Sequence, residues 1–289
     1  MSAATGPRQA GPGFRARWRD RAAATSNLAV GMGPSPERLA WWGLPDTLRA
    51  AEQQSREIVE TVAPEVGLLK IQTPFFERFG GRGIDLLRQI VDLAHTGGAL
   101  VALDAKRCDA PDAMEALPQL YLGPDSVLGG DAVTLVPYMG MDALEPVLLA
   151  AGELGAGVLL MVRTSNHASG TVQHAAAAGT ARTVSQSVAN AIGAWNRAHG
   201  TDHVGGVVGA PPEEARDLVA RMGPGLVSLP GLGRPGRTVA DVLAAAGDQF
   251  ERAAFPVTSG LLRGGGGTAL RESLRRWTDA VRGMVGAPR

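Results

Sequence analysis

One cysteine, no excess of either charge and no long apolar run: each shortage closes off a class of protein. Cys108 stands alone, so it forms neither an internal disulfide nor a cysteine metal cluster, and this fits a reducing, cytoplasmic setting. Lys and Arg together number 28, as do Asp and Glu, and the formal net charge is 0. No global field therefore draws the chain to nucleic acid or to an anionic membrane. No run reaches the roughly 18–20 apolar residues that a membrane helix needs. Residues 1–20 carry Gly, Pro and four Arg but no apolar core, so they do not read as a secretory signal. They read as a flexible N-terminal extension leading into a helix.

What is present is apolar mass broken by turn residues. Of the 289 residues 45% are hydrophobic, and 39 Gly with 19 Pro suit a fold with many tight turns. Short apolar runs at 28–32 (LAVGM), 66–72 (VGLLKIQ), 99–104 (ALVALD), 132–136 (AVTLV), 157–162 (GVLLMV), 204–209 (VGGVVG), 226–229 (LVSL) and 255–258 (FPVT) read as strands buried on both faces. Between them, residues 47–62, 83–95, 142–154, 171–199, 213–222, 239–246 and 270–285 carry apolar side chains at the three- and four-residue spacing of helices. Eight such units without a composition break predict an α/β fold, a single-domain (β/α)8 TIM barrel over residues 21–289. Gly264 to Gly267 form a low-complexity loop expected to move.

In such a barrel, functional side chains gather at the C-terminal ends of the strands. Those ends carry Gly33, Lys70 with Gln72, Asp104 with Lys106, Pro137 with Tyr138, Thr164-Ser165-Asn166, Gly209-Ala210, Pro230-Gly231 and Ser259. The stretch from Asp104 to Asp109 (DAKRCD) is the sharpest signal. Residues two apart on a strand share a face, so Asp104 and Lys106 can both enter the barrel mouth, where opposite charges keep each other ionised. Lys70 ends another strand in the same way. Alternating ammonium and carboxylate groups form a preorganised electrostatic site.

DAKRCD resembles the DxKxxD signature of orotidine-5'-phosphate decarboxylases, in the form of the longer bacterial branch. LLKIQTPFFE, VPYMG and RTSN resemble, in the same order, that family's segments after strands two, four and five; the similarity spans residues 28–262. The resemblance implies a cofactor-independent carboxy-lyase acting on a small-molecule carboxylate, with no metal and no organic cofactor. It implies that Lys106 protonates the carbon left when carbon dioxide departs and that Asp104 sits against the substrate carboxylate. Lys70 would hold the network and contact the sugar. Asp109 would reach into the neighbouring subunit's site, so a homodimer follows. Gln72, Tyr138, Thr164, Ser165, Asn166, Arg234 and Ser259 are the candidate substrate-binding residues.

The pattern departs from the family where the nucleotide is gripped. Gly33 stands where the family has a ribose-contacting Asp, Pro235 where it has a phosphate-facing Gln, and Ser259 where it has a phosphate-binding Arg. Cys108 replaces a usual glycine and Ala110 a usual isoleucine. Losing the Arg and the Gln weakens nucleotide binding by several kcal/mol, at roughly 1.5–3 kcal/mol per hydrogen bond to a charged group, unless Arg234, Arg237 or Arg263 compensates. The expectation is a specialised relative acting on a related heteroaromatic acid or nucleoside with an altered sugar or phosphate end. Orotidine monophosphate is the alternative substrate. From other classes, a catalytically silent barrel that binds a ligand would turn Lys106 away from the mouth, and a metal-using enediolate enzyme would add His or Glu ligands to the segment.

Several residues have plainer readings. Thr164, Ser165 and Asn166 can simply cap a helix. His167 and His174 lack the partnering carboxylate or Cys of a metal site. The glycine spacing in 223–236 lacks a dinucleotide fingerprint. Trp41 and Trp42 are expected under a loop or at a partner interface, and Cys108 as a packed, inert thiol.

Overall fold

The eight apolar runs become parallel strands in a computed structural model that describes residues 11–234 and 236–285. They are β1 (Leu28–Met32), β2 (Leu68–Ile71), β3 (Leu100–Arg107), β4 (Ala132–Leu135), β5 (Gly157–Arg163), β6 (Val204–Val208), β7 (Val227–Ser228) and β8 (Ala253–Val257). They close in sequence order, β8 pairing back onto β1, so the sheet has no edge and the fold is the expected (β/α)8 barrel. β1, β4, β6 and β8 are buried along their whole length, inside by layered side chains and outside by helices.

The helices are α1 (Phe14–Ala24), α2 (Pro36–Trp41), α3 (Leu48–Val62), α4 (Pro74–Glu77), α5 (Gly81–Thr96), α6 (Pro111–Met114), α7 (Leu117–Tyr121), α8 (Glu145–Glu153), α9 (Gly170–Gln173), α10 (Val184–His199), α11 (Pro212–Arg221), α12 (Val239–Ala244), α13 (Ser259–Leu262) and α14 (Gly267–Val285). The long ones start where the sequence offers a cap. The Thr47 hydroxyl accepts the Ala50 amide at α3, and Thr183 and Gln186 form a capping box at α10. That box sets where the long helix within residues 171–199 begins. Residues 171–199 are not one helix: α9 ends at Gln173, the chain turns through Gly179 at φ 71°, and the box starts a new helix. A positive φ and a strong start signal override the alanine-rich periodicity between them. Among the described residues no helix is long and apolar enough to cross a membrane.

The N-terminal end of the barrel is closed by α1, which begins inside the span expected to be a flexible extension. Phe14 and Trp18, four residues apart on one helix face, are fully buried against Ala29, Leu68, Leu100 and Leu159. Gly157 makes the room: a Cβ there would lie 2.2 Å from the Phe14 ring. Arg17 pairs with the buried Asp131 and donates to the Gly155 carbonyl at 3.0 Å, while Arg21 donates to the Ala63 carbonyl at 2.7 Å. The extension read over residues 1–20 therefore includes packed helix from Phe14 on, and residues 1–10 lie outside the described residues. With this end plugged, the open mouth is at the C-terminal ends of the strands.

Candidate active site

That mouth holds a cavity of about 500 Å³. Of the residues singled out in the sequence, Lys70, Gln72, Asp104, Lys106, Thr164, Ser165, Asn166, Arg234 and Ser259 line it. Two expected residues do not. Tyr138 lies in a turn after β4, 81% exposed, and Asp109 is exposed beyond β3, where its Oδ1 accepts the Ala110 amide at 2.8 Å. Pro235 lies outside the described residues, as does the His167 side chain.

The centre of the cavity is a carboxylate between two ammonium groups. Asp104 Oδ2 lies 3.0 Å from Lys70 Nζ and 2.6 Å from Lys106 Nζ, and Asp104 is only 2% exposed. Burial pushes the Asp104 carboxyl up, but Lys70 and Lys106 together outweigh burial and hold it below the usual carboxylate range. Burial pushes the Lys70 ammonium down; Asp104 pulls it back, Lys106 pushes it down again, and it ends below the ordinary lysine value. Lys106 is the outer member, its side chain 41% exposed toward the cavity against 13% for Lys70. Lys106 is thus not turned away from the mouth, as it would be in a silent barrel.

A break in the strand places Lys106. β3 pairs with β4 in register at Leu103 and Val133, then resumes at Arg107 and Leu135, so Asp104 to Lys106 bulge out of the ladder. Within the bulge Lys106 has φ 49°, the one positive-φ residue other than glycine among those described. Such a backbone is costly for a lysine and persists only where neighbours over-determine it. Thr134, fully buried on β4, does this: its hydroxyl accepts the Lys106 amide at 3.0 Å and donates to Asp104 Oδ1 at 2.9 Å. The next residue anchors the far side, Arg107 donating to the Tyr121 hydroxyl at 3.0 Å and to Glu77 Oε2 at 2.9 Å. Sequence reading missed Thr134 because it reads as one more member of an apolar run.

Three arginines join the wall: Arg38, Arg163 and Arg234. Arg163, at the end of β5, is spent on the protein. It pairs with Glu214 at 2.9 Å and donates to the Thr164 carbonyl at 2.6 Å. Gln173 then clamps the loop, accepting the Thr164 amide and donating to its hydroxyl, each at 2.9 Å. Thr164 to Asn166 thus form a tied turn at the mouth, while Thr183 caps the following long helix. Arg234 Nη1 donates to Ser165 Oγ, linking the loops after β7 and β5. Arg237 donates to the Ala210 carbonyl at 2.7 Å and Arg263 stacks over Trp41, and neither lines the cavity. Trp42 donates to the Leu262 carbonyl at 2.9 Å, so the tryptophan pair fastens α2 to α13.

A compositional signal points to the same centre. The chain has 28 basic residues, and the only two lysines are Lys70 and Lys106; the remaining 26 are Arg. A sequence that uses Arg everywhere else keeps Lys where a cation must be compact and able to release a proton, which Arg cannot do. This scarcity makes the Lys70 shift measurable. With lysine labelled at Cε, carbon NMR shows two side-chain signals. One is expected to titrate below the ordinary lysine value of about 10.4, and in Lys106→Ala it should move up, because Lys106 is one of the groups lowering it. Two signals titrating at the ordinary value would remove the buried network from the account.

Fold and site define a class: a (β/α)8-barrel carboxy-lyase built on a lysine–aspartate charge network. The profile of the orotidine 5'-phosphate decarboxylase / HUMPS family matches residues 44–254, and the chain belongs to that family. It is 37% identical over 276 residues to the orotidine 5'-phosphate decarboxylase of Streptomyces coelicolor, covering 95% of this chain and 99% of that protein. With the enzyme of the same name from Salinispora arenicola it shares 40% over 236 residues, covering 81% and 84%. A crystal structure from Streptomyces avermitilis, provisionally given that enzyme name, superposes with a TM-score of 0.89 at 34% identity, covering 99% of this chain and 100% of that one.

Proposed function

We propose that the protein decarboxylates orotidine 5'-phosphate to uridine 5'-phosphate. The charge of the cavity carries this reading. Five cations line it, Arg38, Lys70, Lys106, Arg163 and Arg234, against Asp104 in the wall and the Glu214 that pairs with Arg163. The excess of three positive charges suits a substrate with one carboxylate and a phosphate of roughly two charges at neutral pH. The full-length relatives bearing that enzyme's name favour it over the altered nucleotide expected from the lost family residues.

In this reading the substrate carboxylate lies beside Asp104, whose charge disfavours the bound acid and not the product. The bond from the pyrimidine ring carbon to the carboxylate breaks, and its electron pair stays on the ring carbon. That carbon takes a proton from the Lys106 ammonium, carbon dioxide leaves, and solvent returns a proton to the amine. Lys70 keeps Asp104 ionised throughout, and Thr134 holds the geometry. Measuring carbon dioxide release from orotidine monophosphate tests the reading.

A second reading, a substrate with an altered sugar, has one observation in its favour. A Cβ at Gly33 would lie 2.6 Å from Phe75 and 3.2 Å from the Gln72 side chain, so the ribose-contacting Asp of the family has no room here. Orotidine or a related acid turning over faster than the monophosphate would select it.

The working unit in this proposal is a cytoplasmic homodimer. Asp109 after β3 and Tyr138 and Met139 after β4 are exposed, and these are the residues that a second copy would cover. Mixing inactive Lys106→Ala with inactive Asp109→Ala after subunit exchange should restore activity, since roughly a quarter of the sites then carry neither change. Activity that stays absent, with exchange demonstrated, would place Asp109 in its own subunit's site.

A further inference from the structure

Arg38 carries a charge that the protein leaves unmatched. It sits on α2, just after β1, half-buried in the cavity wall. Both ends of the residue are fixed. Ser35 Oγ accepts its amide at 3.2 Å, Gln54, itself buried, donates to its carbonyl at 2.7 Å, and its Nη1 donates to the Gly33 carbonyl at 3.0 Å and to Gln72 Oε1 at 2.6 Å. The Phe75 ring lies 5.2 Å from the guanidinium carbon. Nε and Nη2 have no partner among the described residues, and no carboxylate there forms an ion pair with Arg38. Its neighbour Glu37 acts on it only at a distance. Arg163, by contrast, has its carboxylate and its carbonyl.

Holding a guanidinium rigid, half out of water and without a counter-ion destabilises a fold unless a ligand brings the anion. The position suits one end of the substrate. α2 is fastened to α13 through Trp42 and the Leu262 carbonyl, so Arg38 follows β1 beside the segment that carries Ser259 after β8. Arg234 follows β7, next along the barrel, and it too lacks a carboxylate partner among the described residues. We propose that Arg38, together with Arg234, binds the phosphate of the nucleotide, so that the cation which Ser259 does not supply comes from α2. Nε and Nη2 give the two parallel donors that a phosphate takes up bidentately. The proposal rests on the reading that the substrate is a nucleoside monophosphate.

The test is calorimetric binding of uridine 5'-phosphate and of uridine to wild type, Arg38→Ala and Arg38→Lys, with carbon dioxide release from orotidine monophosphate measured on the same preparations. Wild type should bind the nucleotide tighter than the nucleoside. Arg38→Ala should lose about 10- to 150-fold in affinity for the nucleotide and keep its affinity for uridine, with Arg38→Lys in between. Equal nucleotide binding by wild type and Arg38→Ala overturns the proposal. So does an equal loss for nucleotide and nucleoside, or a wild type that does not distinguish them. Turnover separates the two readings. Phosphate binding that depends on Arg38 without carbon dioxide release leaves the site and removes the reaction; release that is indifferent to Arg38 does the reverse.

Discussion

Lys106→Ala should lower kcat for decarboxylation by about 10²- to 10⁴-fold, the contribution of a positioned proton donor, and leave the fold intact. Lys106 is the most exposed member of the network in the cavity, and the bulge and Thr134 place it there at the expense of a left-handed backbone. Removing it leaves Lys70 and Asp104 as a one-to-one pair at 3.0 Å, so no buried charge is stranded. Lys106→Arg keeps the charge but cannot release a proton at working pH, so it should be nearly as inactive as the alanine variant. Single-turnover release of carbon dioxide, with circular dichroism as the folding control, checks both variants. An arginine variant at wild-type rate would mean that charge, not proton transfer, is what Lys106 supplies.

Asp104→Asn has the opposite profile, a loss of both activity and stability. Two ammonium groups then face each other without an anion, and breaking a buried ion pair from one side costs about 3–5 kcal/mol. Part of that is relieved because Lys70, already lowered by burial, gives up its proton more readily once Asp104 no longer raises it. The activity loss should be about 10²–10³-fold, as for removal of one preorganised charge contact. The pH dependence follows from the direction of the Asp104 shift. Its folded pKa lies below the unfolded value of about 3.9, so its contribution is complete above that value and is lost as pH falls through the folded pKa. Urea unfolding should therefore show the full gap between wild type and Asp104→Asn at neutral pH and a closing gap in strong acid. A gap that persists unchanged in acid would assign the stability to something other than the ionised carboxylate.

The barrel and the centre of the site were legible in the residues; the surroundings were legible only in part. Strand runs announce themselves because burial on both faces removes polar residues, and β1 begins and ends where its run does, at Leu28 and Met32. Lys70, Asp104 and Lys106 stand out as charges at the ends of apolar runs. The bulge that aims Lys106 was not legible, since a register shift leaves no mark on residue type. Arg38 was one arginine among 26 and became distinctive only when the structure put it in the cavity wall without a carboxylate. Phe14 and Trp18 stood in a Gly-, Pro- and Arg-rich stretch, and their four-residue spacing was the signal of the helix that plugs the barrel. The departures from the family were read at Gly33, Pro235 and Ser259, of which Pro235 lies outside the described residues. Reading those departures as a different substrate weighed Arg234, Arg237 and Arg263 but not Arg38, which lines the same cavity as Ser259 and Arg234.

The most direct test of the account is carbon dioxide release by the wild-type protein from orotidine monophosphate, beside orotidine and orotate at equal concentration. Rapid release from the monophosphate is expected, with far slower release from the two acids that lack the phosphate and release lowered about 10²- to 10⁴-fold in Lys106→Ala. A folded wild-type protein that leaves the monophosphate untouched, or that prefers orotidine, would contradict it and shift the substrate to an acid with a different sugar end.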